Sequence, residues 1–292
     1  MSVEPTRDTF DAEAYLARHH DVAAALASGL VGSAWQHFEL HGRREGRVWF
    51  AKPDRMTGVT REISPHDEMF AGDLNHYFDV GESARRWIEI ALRLAHRDPA
   101  DIRRVLDLPC GHGRVLRFLR PLFPAAEFTA CDLNRDGVDF CVRALGAQAL
   151  RADIDPRRIE IPAPFDVIWC GSLLTHLPEQ AAGAFCEYFD RALSPGGLLV
   201  LTLHGRLYAE QLTSGRRSGD LDAGQISALL EQYRRCGYGY VDYHTHQDYG
   251  FSLMHPSWVM SNLLPRGRWT MLCYHEHGWD ERQDVLILQK AG

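Results

Sequence analysis

The chain has 292 residues, 45% of them hydrophobic and 24% charged, and a formal net charge of −7. This composition suits a soluble globular protein with one large core, or one core and an appended module. An acidic balance argues against nucleic acid as an obligate partner. No apolar run approaches the ~20 residues of a membrane span.

Seven cysteines with no C-x-x-C pair fit neither a disulfide framework nor a zinc site, so reduced thiols are expected. "MSVEPTRDTFDAE" at the start lacks a charged-then-apolar secretory pattern. The expectation is a cytoplasmic protein with no metal, no nucleic acid and no membrane partner.

Residues 1–52 form the first segment. "FDAEAYLARHHDVAAALASGLVGSAWQHFELHGRREGRVW" carries no strand-like run and predicts two or three short helices. Asp11 suits an N-cap, Gly29 a stop, and Phe10, Tyr15, Trp35 and Phe38 a small core. Residues 53–66, polar and punctuated by prolines, predict a linker. In "GESARRWIEIALRLAHR", Ala84, Trp87, Ile88, Ala91, Leu92 and Ala95 share one helical face.

From there strand and helix patterns alternate. Strands are expected at 103–108, 127–131, 148–152, 165–170 and 197–203, with helices near 113–121, 135–145 and 178–192. Such alternation predicts an α/β fold, a Rossmann-like doubly wound and mostly parallel sheet. "RWTMLCYHEHGWDERQDVLILQK" reads as an antiparallel C-terminal hairpin and brings the sheet to seven strands. Residues 206–250 read as an insertion with a helix near 223–234, placed where loops commonly set specificity.

In an open parallel sheet, ligands bind beyond the strand C-termini. The first strand ends at Asp107 and enters "LPCGHG"; the second ends at Asp132 and the third at Asp153. Gly111 and Gly113 allow close backbone approach, and the following helix offers free N–H groups. A carboxylate about 20 residues past the loop suits ribose hydroxyls. An acid after the third strand suits an exocyclic adenine amine. Taken singly, Asp132 and Asp153 also suit helix N-caps. Together behind the glycine loop they point to an adenine nucleoside with a compact 5′ substituent. A nicotinamide-binding loop would want a third glycine where Leu116 stands.

"VLDLPCGHGR", "FTACDLN", "LRADI", "FDVIWCGSLLTHLPE" and "ALSPGGLLVLTLHG" resemble, in order, the motifs of class I S-adenosylmethionine-dependent methyltransferases. The resemblance covers about 67–290 and gives 67–292 as the methyltransferase domain. It implies S-adenosylmethionine as cofactor and S-adenosylhomocysteine as product. It implies that Asp107, Pro109, Cys110, Gly111 and Gly113 cradle the methionine part. Asp132 and Leu133 would hold the ribose, Asp153 and Ile154 the adenine, and the backbone at Cys170 and Gly171 would face the cofactor. "YFDVGESA" at 77–84 looks like the segment such enzymes fold over it. Pro109 departs from the family's usual glycine: either the turn there needs no positive φ, or binding is weaker. The first segment resembles a short bacterial module found fused to glycosyltransferases, methyltransferases and secreted proteins. A packing, self-association or partner-docking role is expected for it.

Methyl transfer to a hydroxyl needs a general base near the ends of the fourth and fifth strands. His176 and His204 stand there, and histidine titrates near neutrality. Tyr77, His246, Tyr249 and His255 are the expected substrate contacts. His244, His246 and Asp248 offer metal-ligand types, yet without a second cluster the metal signal is weak. The acceptor is expected to be a small molecule or saccharide, methylated on oxygen rather than nitrogen. The alternatives are a non-catalytic nucleoside-binding scaffold, or another transferase such as an aminopropyltransferase, which would want an acid cluster after the fourth strand.

Overall fold

A computed structural model describes residues 5–7, 9–50, 55–244 and 248–292. The chain forms two compact units, Met1–Thr57 and Gly58–Gly292.

In the first unit, helices α1 (Ala12–Arg18), α2 (His20–Ala27) and α3 (Ala34–His37) enclose a small aromatic core. Asp11 caps α1 by accepting the Ala14 N–H at 2.9 Å. Ser33 caps α3 through the Gln36 N–H at 3.0 Å. Beyond α2 the chain reverses at Gly29, whose φ of +75° suits glycine. Phe10, Tyr15, Val22, Ala34 and Phe38 are buried, with Trp35 packed against them. Tyr15 Oη lies 3.2 Å from His37 Nδ1, so the buried histidine has a polar partner.

The second unit begins within the predicted linker. Val59 and Ser64 are buried, and the Thr60 and Glu62 carbonyls accept from Arg117 at 3.2 and 2.7 Å. Residues 58–66 are therefore packed chain, and a buried guanidinium with its carbonyl partners is what holds them. The predicted positions 51–54 lie outside the described residues.

Helix α4 (Leu74–Leu94) leads into β1 (Arg104–Asp107), α5 (Leu116–Leu122), β2 (Glu127–Asp132), α6 (Arg135–Leu145), β3 (Gln148–Arg151) and β4 (Phe165–Cys170). Helix α7 (Glu179–Ala192) and β5 (Leu193–Leu203) follow. The insertion holds α8 (Arg206–Thr213), α9 (Ala223–Cys236) and a small antiparallel pair, β6 (Tyr238–Asp242) and β7 (Gly250–Met254). Strands β8 (Trp269–Trp279) and β9 (Gln283–Lys290) close the chain. The main sheet runs β3-β2-β1-β4-β5-β9-β8. Strands β1 to β5 are parallel, and β9 is antiparallel to both neighbours.

Strand period explains why both faces are dry. Val105, Val167 and Val200 face α4, α5 and α6, while Leu106, Ile168 and Leu199 face α7. β1 and β4 therefore read as continuous apolar runs. The order reverses beside β1, so a crevice opens at the C-terminal ends of β1 and β4. The β6–β7 pair went unpredicted because "YGYVD" and "GFSLM" are short and separated by polar chain. It packs with α8 and α9 on Tyr208, Leu229, Phe251 and Leu253. It is tied to the end of β5 by the Met254 N–H donating to the His204 carbonyl at 2.8 Å. No described helix is long and apolar enough to cross a membrane.

Candidate active site

Asp107 ends β1 and is 1% exposed. Neither carboxylate oxygen has a hydrogen-bond partner, and the Leu116 amide at the start of α5 is near but out of bonding geometry. Burial, then the charge of Asp132, raises its pKa well above the usual carboxylate range. A buried orphan acid at the floor of a crevice is matched to a cationic partner.

The loop beyond it turns on Gly111 (φ +48°) and Gly113 (φ +72°), and position 109 is not among the positive-φ residues. Pro109 therefore meets no conformational conflict. The two glycines differ in purpose. A Cβ on Gly111 would meet nothing within 4 Å, so its α-carbon borders open space. On Gly113 it would lie 2.3 Å from Leu145 Cδ1, so that glycine lets α6 pack against the loop. Cys110 and Cys141 both direct their thiols at the Gly111 carbonyl, at 3.3 and 3.6 Å. A hydrogen bond with Cys141, then burial, raises the Cys110 thiol pKa, which keeps it inert.

Asp132 does not cap α6; Asn134 does, through the Gly137 N–H at 3.3 Å. Asp132 Oδ2 instead accepts the Gly111 N–H at 2.7 Å, and Oδ1 accepts the Asn134 N–H. A carboxylate has about four lone-pair sites, so two remain for hydroxyl donors. Asp153 accepts the Asp155 N–H at 2.9 Å. Just past β2 and β3, Leu133 and Ile154 are 62% and 75% exposed. Two bare aliphatic side chains beside two acids suit the faces of a planar base. Cys170 is buried, and its thiol pKa is raised by burial. Gly171 is also buried, and a Cβ there would strike the Trp169 indole at 2.8 Å, so this glycine serves strand packing.

Tyr77 was expected to touch substrate. Instead it is 1% exposed, its hydroxyl donates to Asp67 at 2.6 Å, and Arg117 sits 5.2 Å from its ring. Tyr77 is thus a strut under the chain that crosses the glycine loop. His112, which sequence reasoning passed over, belongs to the same network. It lies 2.8 Å from Asp136 and 3.9 Å from Asp67, joining loop, α6 and the crossing segment. The pattern "CGHG" gave no hint of this, because both acids are remote in sequence.

The histidines separate clearly. His176 Nδ1 lies 2.9 Å from the Gly250 carbonyl, which must be accepting, so that nitrogen carries the proton. Nε2 is then the open acceptor. Burial lowers the His176 pKa below the ordinary 6.5, the Gly250 bond opposing. Tyr249 stacks on the ring at 5.0 Å. Its own pKa is raised by burial and by the charges of Asp132 and Glu68, so it stands between His176 and the end of β2. His204 is packed away: Phe251 stacks on it at 4.4 Å and Tyr208 lies at 4.3 Å. Burial, then His176, lowers its pKa well below 6.5. Its enclosure removes the approach a general base needs. His255 also departs from expectation. It caps the turn Pro256–Trp258, with Nδ1 taking the Ser257 N–H at 3.2 Å, and packs on Tyr233. His246 lies outside the described residues.

Sequence reasoning also missed a cavity of about 450 Å³ between α4, the loop after α8 and the β8–β9 turn. Indole bonds fix its walls. Trp279 Nε1 donates to the Val80 carbonyl at 3.0 Å, and Trp87 Nε1 to that of Gly278 at 2.6 Å. At its edge Gln283 donates to Ser172 Oγ at 2.7 Å and bonds Thr202, so the cavity adjoins the ends of β4 and β5.

Residues 105–197 match the methyltransferase domain family.

The chain spans 36% of a fatty-acid O-methyltransferase from Mycolicibacterium smegmatis, with 32% identity over 106 residues, 34% of this chain. It spans 48% of a ubiquinone biosynthesis O-methyltransferase from Xylella fastidiosa, 32% identical over 122 residues, 40% of this chain. The chain thus spans between about a third and a half of these curated relatives. The crystal structure of an S-adenosylmethionine-dependent methyltransferase from Clostridium acetobutylicum matches with a TM-score of 0.50 at 14% identity. The match covers 76% of this chain and 94% of that one. That likeness is one of fold. The methyltransferase domain match takes in the glycine loop, Asp132, Asp153 and His176, and ends before His204, the insertion and the terminal hairpin.

Proposed function

We propose that the second unit is an S-adenosylmethionine-dependent methyltransferase acting on a hydroxyl of a small molecule or saccharide. The observation that carries this is Asp107, a buried acid without a hydrogen-bond partner beside the open Cα face of Gly111. The residues fit the cofactor. Asp107 offers its carboxylate to the ammonium of the methionine part. Gly111 leaves room for that part to approach the main chain. Asp132 retains lone pairs for ribose hydroxyls, and Leu133 and Ile154 flank the adenine beside Asp153. The two curated relatives described above are O-methyltransferases by name, which supports oxygen as the target.

When bound, S-adenosylmethionine supplies a methyl group on a cationic sulfur, open to in-line displacement. The protein's part is alignment, exclusion of water and removal of the acceptor proton. His176 takes that proton at Nε2, with its tautomer fixed by the Gly250 carbonyl and its ring held by Tyr249. A pKa below 6.5 keeps the ring in the basic form at neutral pH. His204, neutral and stacked, forms a wall behind it and orients by packing. The sequence-based assignment of the base to His204 thus passes to His176.

Calorimetric titration with S-adenosylhomocysteine tests the proposal, with Asp132→Ala and NAD as controls. Binding that Asp132→Ala abolishes and NAD does not compete supports it. A wild-type protein that ignores S-adenosylhomocysteine and S-adenosylmethionine would overturn it.

A further inference from the structure

The cavity of about 450 Å³ has a charge pattern that the cofactor-holding residues do not use. His76, Asp79 and Ser83 line it from α4, Arg217 from the loop after α8, and Asp280 and Arg282 from the β8–β9 turn. Most of these charges are already engaged. Asp280 lies 3.5 Å from His76 and 3.4 Å from Arg282, and Asp79 has a partner of its own.

Arg217 is the exception. It is half-buried, and among the described residues no acid approaches its guanidinium within 4.0 Å. Its described side-chain contact is the ring of Tyr208, 6.0 Å away. A half-buried guanidinium carries a desolvation cost that an ion pair would offset. Its planar fork matches a carboxylate two bonds at a time. Tyr208 is itself buried and packed on His204, so the arginine is presented from a rigid support beside the ends of β4 and β5.

We propose that this cavity is the acceptor pocket and that Arg217 selects acceptors bearing a carboxylate. The inference rests on the methyltransferase reading and names the substrate class for it. One uncompensated guanidinium matches one negative charge. Asp79, Asp280 and Glu281 around the same cavity repel a phosphate dianion. The substrate is therefore a hydroxyl compound with a single carboxylate, small enough for the cavity: a hydroxy acid or a uronic sugar.

Calorimetry on the full chain separates the possibilities, using two probe pairs: 4-hydroxybenzoate against its methyl ester, and glucuronate against glucose. Glucose 6-phosphate is the dianion control. Each is titrated with and without saturating S-adenosylhomocysteine into wild type, Arg217→Gln and Arg217→Lys. In at least one pair the acid should bind tenfold or more tightly. Arg217→Gln should erase that preference and Arg217→Lys should keep part of it, with S-adenosylhomocysteine affinity unchanged in both. Equal binding within both pairs, a preference that survives Arg217→Gln, or tighter binding of glucose 6-phosphate than glucuronate would overturn it. Absence of S-adenosylhomocysteine binding would instead sink the methyltransferase reading, while the acid preference, read without it, stands or falls alone.

Discussion

Asp107→Asn should make the ligand-free protein more stable and the ligand-bound protein less so. In the wild type the carboxyl is buried, unpartnered and next to Asp132, and its folded pKa lies well above the unfolded value of about 3.9. Between those two pKa values the folded chain holds a proton that the unfolded chain has lost. Stability therefore falls as pH rises through that window and is flat above it. Below the window wild type and variant should melt alike, since both carry a neutral side chain there. Above it the wild type bears the cost of a buried polar group without a partner, about 1–3 kcal/mol and more when charged. At roughly 2–4 °C per kcal/mol for a unit of this size, the variant should melt several degrees higher near pH 8 and only slightly higher near pH 5. S-adenosylhomocysteine at ~100 times its Kd should raise the wild-type Tm by the equivalent of about 2.7 kcal/mol. The variant, lacking the carboxylate, should gain much less. Thermal melts from about pH 5 to 8, with and without ligand, read both effects. A Tm difference independent of pH, or equal ligand stabilisation in the two proteins, would refute the reasoning.

The two loop glycines should fail differently. Gly111→Ala meets open space, so its folding cost should be limited to the positive φ, about 1 kcal/mol, while ligand affinity drops. Gly113→Ala drives a methyl into Leu145 and should lose about 1–3 kcal/mol or more of stability by denaturant unfolding. His176→Gln should lower kcat about 10²–10⁴-fold without weakening S-adenosylhomocysteine binding. Because a base acts deprotonated and its pKa is lowered, the wild-type rate should climb with pH and level off below pH 6.5; a plateau reached only above pH 8 would exclude His176. Tyr274→Phe removes the 2.7 Å hydroxyl donor to buried Asp284 and should cost about 1–3 kcal/mol, measured as a shift in urea midpoint.

What the sequence determined by itself was the frame. Alternating apolar runs and helical periods located all five parallel strands, and "LDLPCGHG" with Asp132 and Asp153 marked the crevice, because these signals live in neighbouring residues. Secondary structure and the acids at strand ends follow from local pattern and from the one crossover hand a parallel sheet allows. Tertiary structure alone decided what each polar side chain does. Tyr77 is consumed by Asp67, ten residues away, and His112 by acids on two other elements. His176 has its tautomer set by a carbonyl 74 residues later. His204 looked equally eligible as a base until Phe251 and Tyr208 closed over it. Arg217 was one arginine among several until the cavity left it without an acid. Protonation, partnership and access depend on what packs around a group in space, and in this chain those neighbours are mostly far apart in sequence.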